Sequence, residues 1–397
     1  MRTVKIILIT ILCGLIAFLG ITLVWGVRSE SGFYRGFGQP YKLAKEWEIP
    51  ASETESLYVN YNMNSNDVYL FEGTGDNIVI REYTNFEGKE EWLSTVKQEG
   101  STLVIRGERR RSGFFLMGIS REDAYIEIYL PSGLLTEMEI VTTSGDIRAE
   151  RDFTVDGSFS VESSSGDICF QKVGAEKIVA GASSGSITFG YAAGTVWAEA
   201  SSGDICFQEI AGDAEISTSS GEITVERIDG NAEFSASSGD VRLRHAEGDV
   251  RISTSSGEIQ VLGGSGTRII SASSGSITLA DVNGRFDLRT TSGEIFLGNG
   301  NGYGEAEASS GDIDIRLDRL EGSLDIDTTS GEVGVYIPAD ASFSFAFGSA
   351  SGECETFFDD CLSYNKRGTS AKGDYGSSPD KTISISTSSG SAYIYEK

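Results

Sequence analysis

Apolar and polar residues alternate along most of this chain, and the alternation restarts at regular intervals. After Gly221 the apolar positions are Ile223 and Val225, and nine residues later the pattern begins again at Ala232 and Phe234. An alternation of period two predicts short β-strands with one buried face. The glycines between these runs predict corners, because glycine adopts positive φ values at little cost. Each nine-residue segment is therefore expected to contain one strand and one corner.

The glycines themselves follow a fixed period. Those of the Ser-Gly pairs are 18 residues apart from Gly185 to Gly311, and a second series lies midway, from Gly194 to Gly302. Such a short period is typical of a solenoid. The sequence therefore predicts an all-β fold, a parallel β-solenoid of about 18 residues per rung, whose inward residues stack in a ladder. That ladder is expected to contain Ile223, Val241, Ile259, Ile277, Ile295 and Ile313.

Tight hairpins are the alternative to solenoid corners. Asp229-Gly230 and Asn283-Gly284 are typical two-residue hairpin turns and would suit an antiparallel meander. Such a sheet would leave one apolar face uncovered, whereas a solenoid buries its two sets of strands against each other. We therefore favour the solenoid.

Acidic and hydroxyl side chains at the Ser-Gly corners repeat with a longer period of 36 residues. Three positions before the glycine, Thr accompanies Glu after it, and Ala accompanies Asp or Ser. Duplication of a two-rung block explains this alternation, and unequal side-chain lengths would also separate carboxylates that stack at rung spacing. The acids form a candidate binding face, which contains Asp204, Glu222, Asp240, Glu258, Glu294 and Asp312.

An apolar run near the N-terminus indicates a membrane anchor. Between Ile6 and Trp25 there is no charged residue over 20 positions, a length that crosses the hydrocarbon core as a transmembrane helix. Arg2 and Lys5 precede the run, which predicts a cytoplasmic N-terminus and an extracytoplasmic β-solenoid in a single-pass protein of the cell membrane. A cleaved signal peptide is the alternative, but the run is long and no Ala-x-Ala site follows it.

Periodicity divides the chain into five segments. They are an N-terminus with a membrane anchor at 1–28, a tether at 29–46, irregular N-terminal β rungs at 47–140, regular solenoid repeats at 141–340, and irregular C-terminal rungs with a cap at 341–397. Past Gly331 the spacing loosens. The 38-residue step from Gly352 to Gly390 predicts an insertion that covers the open C-terminal end or takes part in recognition.

Charge and composition exclude several functions. A net charge of -27 disfavours nucleic acid as a partner, and His245, the one histidine, disfavours histidine catalysis. The Gly-acid repeat is similar to calcium β-rolls but lacks their double glycine and second aspartate. No local departure from the repeat marks a pair of catalytic carboxylates. We therefore expect neither an enzyme nor a cofactor or metal site.

An irregular segment before the regular repeats contains further candidate residues. A loop between residues 106 and 124 combines basic and apolar side chains, a composition suited to anionic lipid or a partner helix. The alternative is that its apolar residues fold under the first rungs while its arginines are solvated. The loop contains Arg109, Arg110, Arg111, Phe114 and Phe115.

The cysteines permit one disulfide. Cys354 and Cys361 lie in the irregular C-terminal segment, where an extracytoplasmic disulfide is permitted. Cys169 and Cys206 are expected to point outward with one rung between them. Their separation, ~9.6 Å from the rung spacing, exceeds the ~7 Å that a disulfide can bridge.

The repeat Ser-Gly-Asp/Glu-Ile-x-Phe/Val and the segment AYIEIYLPSGLLTEMEIVTTSGDI, which begins at Ala124, resemble a bacterial domain family of unknown function labelled as an adhesin. The resemblance extends over residues 47–397. It implies a parallel β-solenoid and, for some members, a place in envelope-stress operons beside signalling proteins. It implies no catalytic residues.

Two functions follow as hypotheses. The first is a binding or scaffold module at the bacterial cell surface, anchored by its N-terminal helix, whose acidic and hydroxyl ladders contact a cell-surface polymer. The second is a regulatory component of an envelope-stress response that binds an envelope protein through the loops around Phe114 or Phe357.

Overall fold

The computed structural model describes residues 40–62, 66–86, 90–107, 123–131 and 133–397, without the side chain of residue 150. The predicted anchor at residues 6–25 and the basic, apolar loop at 109–115 lie outside these ranges. Within them, no helix has the length and apolar character needed to cross a membrane.

Thirty β-strands make up the described chain. The first ten are β1 (Lys42–Pro50), β2 (Ser56–Tyr61), β3 (Asp67–Glu72), β4 (Asn77–Thr84), β5 (Thr95–Glu99), β6 (Thr102–Arg106), β7 (Ala124–Leu130), β8 (Glu137–Thr142), β9 (Ile147–Thr154) and β10 (Ser158–Ser163). The next ten are β11 (Ile168–Ala182), β12 (Ile187–Ala200), β13 (Ile205–Ala211), β14 (Ala214–Thr218), β15 (Ile223–Ile228), β16 (Ala232–Ala236), β17 (Val241–Leu243), β18 (Val250–Thr254), β19 (Ile259–Ser265) and β20 (Arg268–Ala272). The last ten are β21 (Ile277–Thr290), β22 (Ile295–Ala308), β23 (Ile313–Thr328), β24 (Val333–Ile337), β25 (Phe343–Ser349), β26 (Cys354–Thr356), β27 (Leu362–Tyr364), β28 (Ser370–Tyr375), β29 (Thr382–Thr387) and β30 (Ala392–Glu396). Short 3-10 helices occupy Ala51–Glu53, Glu90–Trp92 and Asp359–Cys361.

The strands form two parallel stacks. Within each stack, strand residues of the regular array pair with the equivalent residues one rung before and one rung after them. In stack A, which contains the strands that follow the Ser-Gly corners, Ile223 pairs with Ile205 on one side and Val241 on the other. In stack B, which contains the strands that precede those corners, Phe234 pairs with Ile216 and Ile252. The long strands β11, β12, β21, β22 and β23 contribute to both stacks. The fold is therefore the predicted all-β parallel solenoid of about 18 residues per turn.

The antiparallel meander is wrong, because strands joined by the proposed hairpin turns do not pair. Asp229-Gly230 lies between β15 and β16, and each of these strands instead pairs in parallel with strands one rung away. The sequence Asp-Gly therefore marks a corner here.

One continuous core fills the space between the stacks. The residues of the predicted inward ladder are each at most 1% exposed: Ile223, Val241, Ile259, Ile277, Ile295 and Ile313. In the preceding strands of stack A, β11, β12 and β13, the rings of Phe170, Phe189 and Phe207 stack with centroids 5.3 and 5.0 Å apart. Burial of each such side chain contributes about 1.5–3 kcal/mol, so every rung depends on its neighbours for stability.

The Ser-Gly corners need glycine because adjacent rungs approach closely. A Cβ added at Gly203 would lie 1.8 Å from the carbonyl oxygen of Gly185, and one at Gly221 would lie 1.9 Å from that of Gly203. Neither glycine has a positive φ. The expectation of positive φ is thus wrong for this series, although it holds for Gly194 (φ 131°) and Gly212 (φ 149°) of the midway series.

The N-terminal end of the solenoid is interleaved. Leu57 of β2 pairs with Leu103 of β6 and with Met138 of β8. The strand β2 therefore lies between two strands that come later in the sequence. In stack A, β3 likewise pairs with both β7 and β9. Outside this rung, β4 pairs antiparallel with β7, β1 with β4, and β5 with β6.

The C-terminal end repeats this arrangement. Ile383 of β29 pairs with Leu324 and Phe345, and Ala392 of β30 pairs with Val333 and Cys354. The last strands of the chain therefore lie between the regular array and β25–β26. The segment that separates β26 from β29 folds back, with β28 antiparallel to β25 and β27 antiparallel to β28.

One buried arginine interrupts the apolar core. Arg268 is 1% exposed and donates to the carbonyl oxygens of Gly248 and Ala246, each at 2.9 Å. Burial lowers its pKa. Space for the guanidinium comes from Ala246 and Gly264, which occupy the inward position held by Ile228 one rung earlier.

Candidate binding surfaces

The predicted acidic residues all lie at one edge of the solenoid, but their carboxylates are not equivalent. Asp204 accepts the backbone N–H of Glu222 at 2.9 Å, and Asp240 accepts that of Glu258 at 2.9 Å. Asp312 does the same for the next rung at 2.8 Å. Aspartate is short enough to reach this donor, so the three aspartates cap exposed N–H groups and hold rungs together.

The glutamates of the same edge have other partners. Glu222 accepts a hydrogen bond from Thr224 at 2.8 Å and forms an ion pair with Arg242. Among the described residues, the carboxylates of Glu258 and Glu294 have no hydrogen-bond or ion-pair partner. At this edge some carboxylates hold rungs together, and others have no partner among the described residues.

The hydroxyl groups of the 36-residue alternation also have a structural role. Thr218 and Thr254 are buried, and their Oγ1 atoms accept the N–H groups of Gly221 and Gly257 at 3.0 Å. Asp in one rung caps the following rung, and Thr in that following rung closes its own corner. The alternation therefore repeats a hydrogen-bonding unit of two rungs.

A second ladder, which the sequence reasoning missed, follows the midway corners. Asp213 accepts the N–H of Asn231 at 2.7 Å, Asn231 accepts that of Asp249 at 3.0 Å, and Asp249 accepts that of Thr267 at 2.7 Å. The signal was present as an Asp or Asn directly after glycine in three consecutive midway corners.

A groove of about 370 Å³ lies beside this second ladder on the outer side of stack B. Its other wall is a column of outward side chains from five consecutive rungs, paired in register. That column contains Trp197, Glu215, Glu233, Arg251 and Ile269.

Aromatic side chains cover the outer side of stack A near both ends. Toward the N-terminus, Tyr83 stacks on Tyr125 with ring centroids 4.8 Å apart, and burial raises the pKa of Tyr125. Toward the C-terminus, Tyr336 stacks on Tyr395 at 4.8 Å, and the guanidinium of Arg316 lies 4.7 Å from the Tyr336 ring. These rings mainly contact one another.

The disulfide that the sequence permits in the C-terminal segment is not formed among the described residues. Cys354 and Cys361 are both free thiols. Cys354 packs against the core, and burial raises its pKa to about 12, whereas Cys361 is exposed at the end of a 3-10 helix. The two thiols therefore lie in different environments, one within the packing of the C-terminal cap and one in solvent.

The remaining predicted residues are placed as follows. Cys169 and Cys206 point outward in stack A, in one column with Thr188 between them. Phe357 is partly buried against the core and contacts Phe358 and Tyr375 with centroids 5.0 and 5.2 Å apart. The structure therefore assigns Phe357 to the packing of the C-terminal cap.

The fold and its outward ladders define a repeat domain of the parallel β-solenoid class. The chain belongs to the Toastrack DUF4097 family, whose matches cover residues 56–263 and 248–394. This confirms the resemblance to a domain family of unknown function.

Two other comparisons add little. Among curated proteins there is no match. A crystal structure of a "putative cell adhesion protein" from Clostridium sporogenes ATCC 15579 aligns over 89% of this chain and 99% of that chain, with 11% identity and a TM-score of 0.17. At that TM-score the alignment supports no argument about this chain.

Proposed function

We propose that this protein is a binding or scaffold module that presents its solenoid surface at the bacterial cell envelope. The segment at residues 6–25 anchors the chain in the cell membrane with the N-terminus in the cytoplasm. The solenoid lies on the extracytoplasmic side, where it binds a cell-surface polymer without catalysing a reaction.

One observation supports this proposal most directly, the arrangement of outward side chains in straight columns. The Ser-Gly edge, the midway corners and the outward column of stack B that contains Ser217 and Ser235 each repeat a polar position from rung to rung. Rungs ~4.8 Å apart present these groups at a constant spacing. A surface with that spacing suits a ligand that is itself a repeating polymer.

The first experiment measures sedimentation of the purified full chain, in mild detergent, with bacterial cell-wall material. We expect saturable co-sedimentation. A matched variant replaces residues 108–122 with a Gly-Ser linker of equal length, and its binding should be unchanged.

Loss of binding in the linker variant would instead favour the regulatory hypothesis, because that loop is its remaining candidate contact. Protease digestion of intact cells tests the location separately. Digestion of the solenoid from outside the cell membrane is expected, and complete protection would contradict the proposed topology.

A further inference from the structure

The groove on stack B brings unpaired acidic and basic side chains together in one column. Glu215, Glu233 and Arg251 are exposed and have no hydrogen-bond or ion-pair partner among the described residues. In the described part of the array, Arg319 is the other exposed arginine without a partner, whereas Arg289, for example, pairs with Glu307 at 2.7 Å and Arg244 pairs with Glu226 at 3.1 Å. The groove therefore keeps both donors and acceptors available.

The position of Arg251 defines how these donors and acceptors are arranged along the groove. It lies one rung from Glu233 in the same outward column, yet the two side chains do not form an ion pair. A carboxylate only accepts hydrogen bonds, and a guanidinium only donates them. A ligand that enters the groove consequently meets two acceptors and then a donor on successive rungs along the solenoid axis.

The end of the groove that is nearest the N-terminus contains an aromatic platform. Trp197 is half-buried, and the ammonium of Lys177 lies 4.8 Å from its ring centroid. Thr195 and Thr267 contribute hydroxyl groups along the wall formed by the midway corners. Five rungs at ~4.8 Å spacing give the groove a length of about 19 Å.

We propose that this groove binds a linear polysaccharide that lies along the solenoid axis, with one sugar ring stacked on Trp197. A sugar offers an apolar C–H face to an indole and a rim of hydroxyl groups that both donate and accept. Those hydroxyls match the carboxylates of Glu215 and Glu233 and the guanidinium of Arg251. This proposal rests on the function proposed above and names the chemical class of its polymer.

The groove does not fit two other polymers equally well. A cationic peptide would be repelled by Arg251 at the position where its side chains would meet the two glutamates. A nucleic acid would be repelled by the carboxylates, including Asp213 and Asp249 at the midway corners. An uncharged or weakly charged polysaccharide avoids both costs.

Titration calorimetry of the full chain in mild detergent tests this proposal. The probes are cellohexaose, chitohexaose and xylohexaose, with hexalysine as the cationic competitor. We expect saturable binding of at least one hexasaccharide. The variants Trp197→Ala and Arg251→Ala should weaken it by about ten-fold or more, because a few central aromatic and arginine contacts dominate such interfaces.

Matched controls come from the outer side of stack A. Phe296→Ala removes an outward aromatic ring, and Arg244→Ala removes an exposed guanidinium, so both should leave hexasaccharide binding unchanged. Circular dichroism melts check that all four variants remain folded.

Three results would overturn the inference. They are the absence of hexasaccharide binding, binding that the groove variants do not weaken, and tighter binding of hexalysine than of any sugar. Co-sedimentation with cell-wall material that persists in the groove variants would leave the broader binding function intact while refuting this site.

Discussion

The middle and the two ends of the solenoid use the same kind of rung but connect their rungs differently. In the middle, each strand pairs with the strands one period before and after it, as Ile223 does with Ile205 and Val241. At the ends, the pairing partners are distant in sequence. Thr136 donates to the carbonyl oxygen of Glu55, 81 residues away, and the N–H of Thr382 donates to Ser323, 59 residues away.

This difference reflects two structural requirements of a solenoid, the stacking of rungs in the middle and the covering of strand edges at the ends. The middle needs only a repeat that stacks on itself, which leaves its outward positions open to variation. The ends must cover exposed strand edges, which would otherwise pair with other chains. At each end, a rung from near the chain terminus lies between two rungs formed by other parts of the sequence. Antiparallel strands are then added outside it.

The largest effect is expected from removal of the C-terminal rung. Deletion of residues 382–397 leaves β23 and β25 without their shared partner β29, and it exposes the edge of β24. We expect loss of a cooperative melt and aggregation, measured by circular dichroism and size-exclusion chromatography. Ser378→Gly is the matched control in the preceding loop, because Ser378 already has a φ of 61°. A truncated protein that melts like the full chain would contradict the interleaved end.

A smaller but still severe loss of stability is expected from a charge buried in the middle of the solenoid. Ile259→Asp places an unpaired carboxylate in the buried ladder, where the isoleucine is 1% exposed. The expected cost is on the order of 3–5 kcal/mol in the free energy of unfolding, measured by denaturant titration. Glu258→Gln, one residue earlier, should change it little. Equal effects from the two substitutions would refute the inward and outward assignment.

A modest effect is expected at the Ser-Gly edge. Asp204→Ala removes the acceptor for the N–H of Glu222 and should cost about 0.5–1.5 kcal/mol, whereas Asp204→Asn keeps an oxygen there and should cost less. Glu294→Ala is the control, since its carboxylate has no partner among the described residues. If the thermal midpoints of all three variants agreed, the aspartates would not act as caps.

The smallest effect concerns thiol reactivity and leaves stability unchanged. Burial raises the pKa of Cys206 to about 11, so only about 0.1% of it is thiolate at pH 8, against roughly a quarter for an ordinary thiol. Alkylation of Cys206 by iodoacetamide, followed by peptide mass spectrometry, should therefore be slow at pH 8 and accelerate about ten-fold per pH unit up to pH 11. The exposed Cys361 should react much faster at pH 8. Equal rates for the two cysteines would place Cys206 in a solvated position.

The middle of the fold was accessible from sequence because its determinants are local. Ile259 and its equivalents recur at a fixed distance from a glycine, and period-two alternation assigns them inward. The ends were not accessible in the same way. Counting glycines along the chain puts Gly352 after Gly331, whereas Gly390 takes that place, since pairing between distant segments leaves no local pattern.

The candidate surfaces show the same limit. The acidic edge could be located from the repeat, but the capping role of Asp204 depends on a backbone N–H of the next rung, whose position only the stacked structure provides. The burial of Arg268 was not predictable, because an arginine at an inward position is accommodated only by the small residues Ala246 and Gly264 beside it. The groove at Trp197 requires the register of five strands.

Hydrogen exchange followed by mass spectrometry tests the central structural claim most directly, because it compares the last rung with the middle in one intact protein. In β29 and β30 the backbone is bonded on both sides, for example from the N–H of Ser388 to Thr328 and from Ala392 to Glu353. The account predicts that peptides from residues 382–396 exchange as slowly as those from β13, within about ten-fold. Complete exchange of the C-terminal peptides within seconds, while β13 remains protected, would show a frayed tail and contradict the interleaved closure of the solenoid.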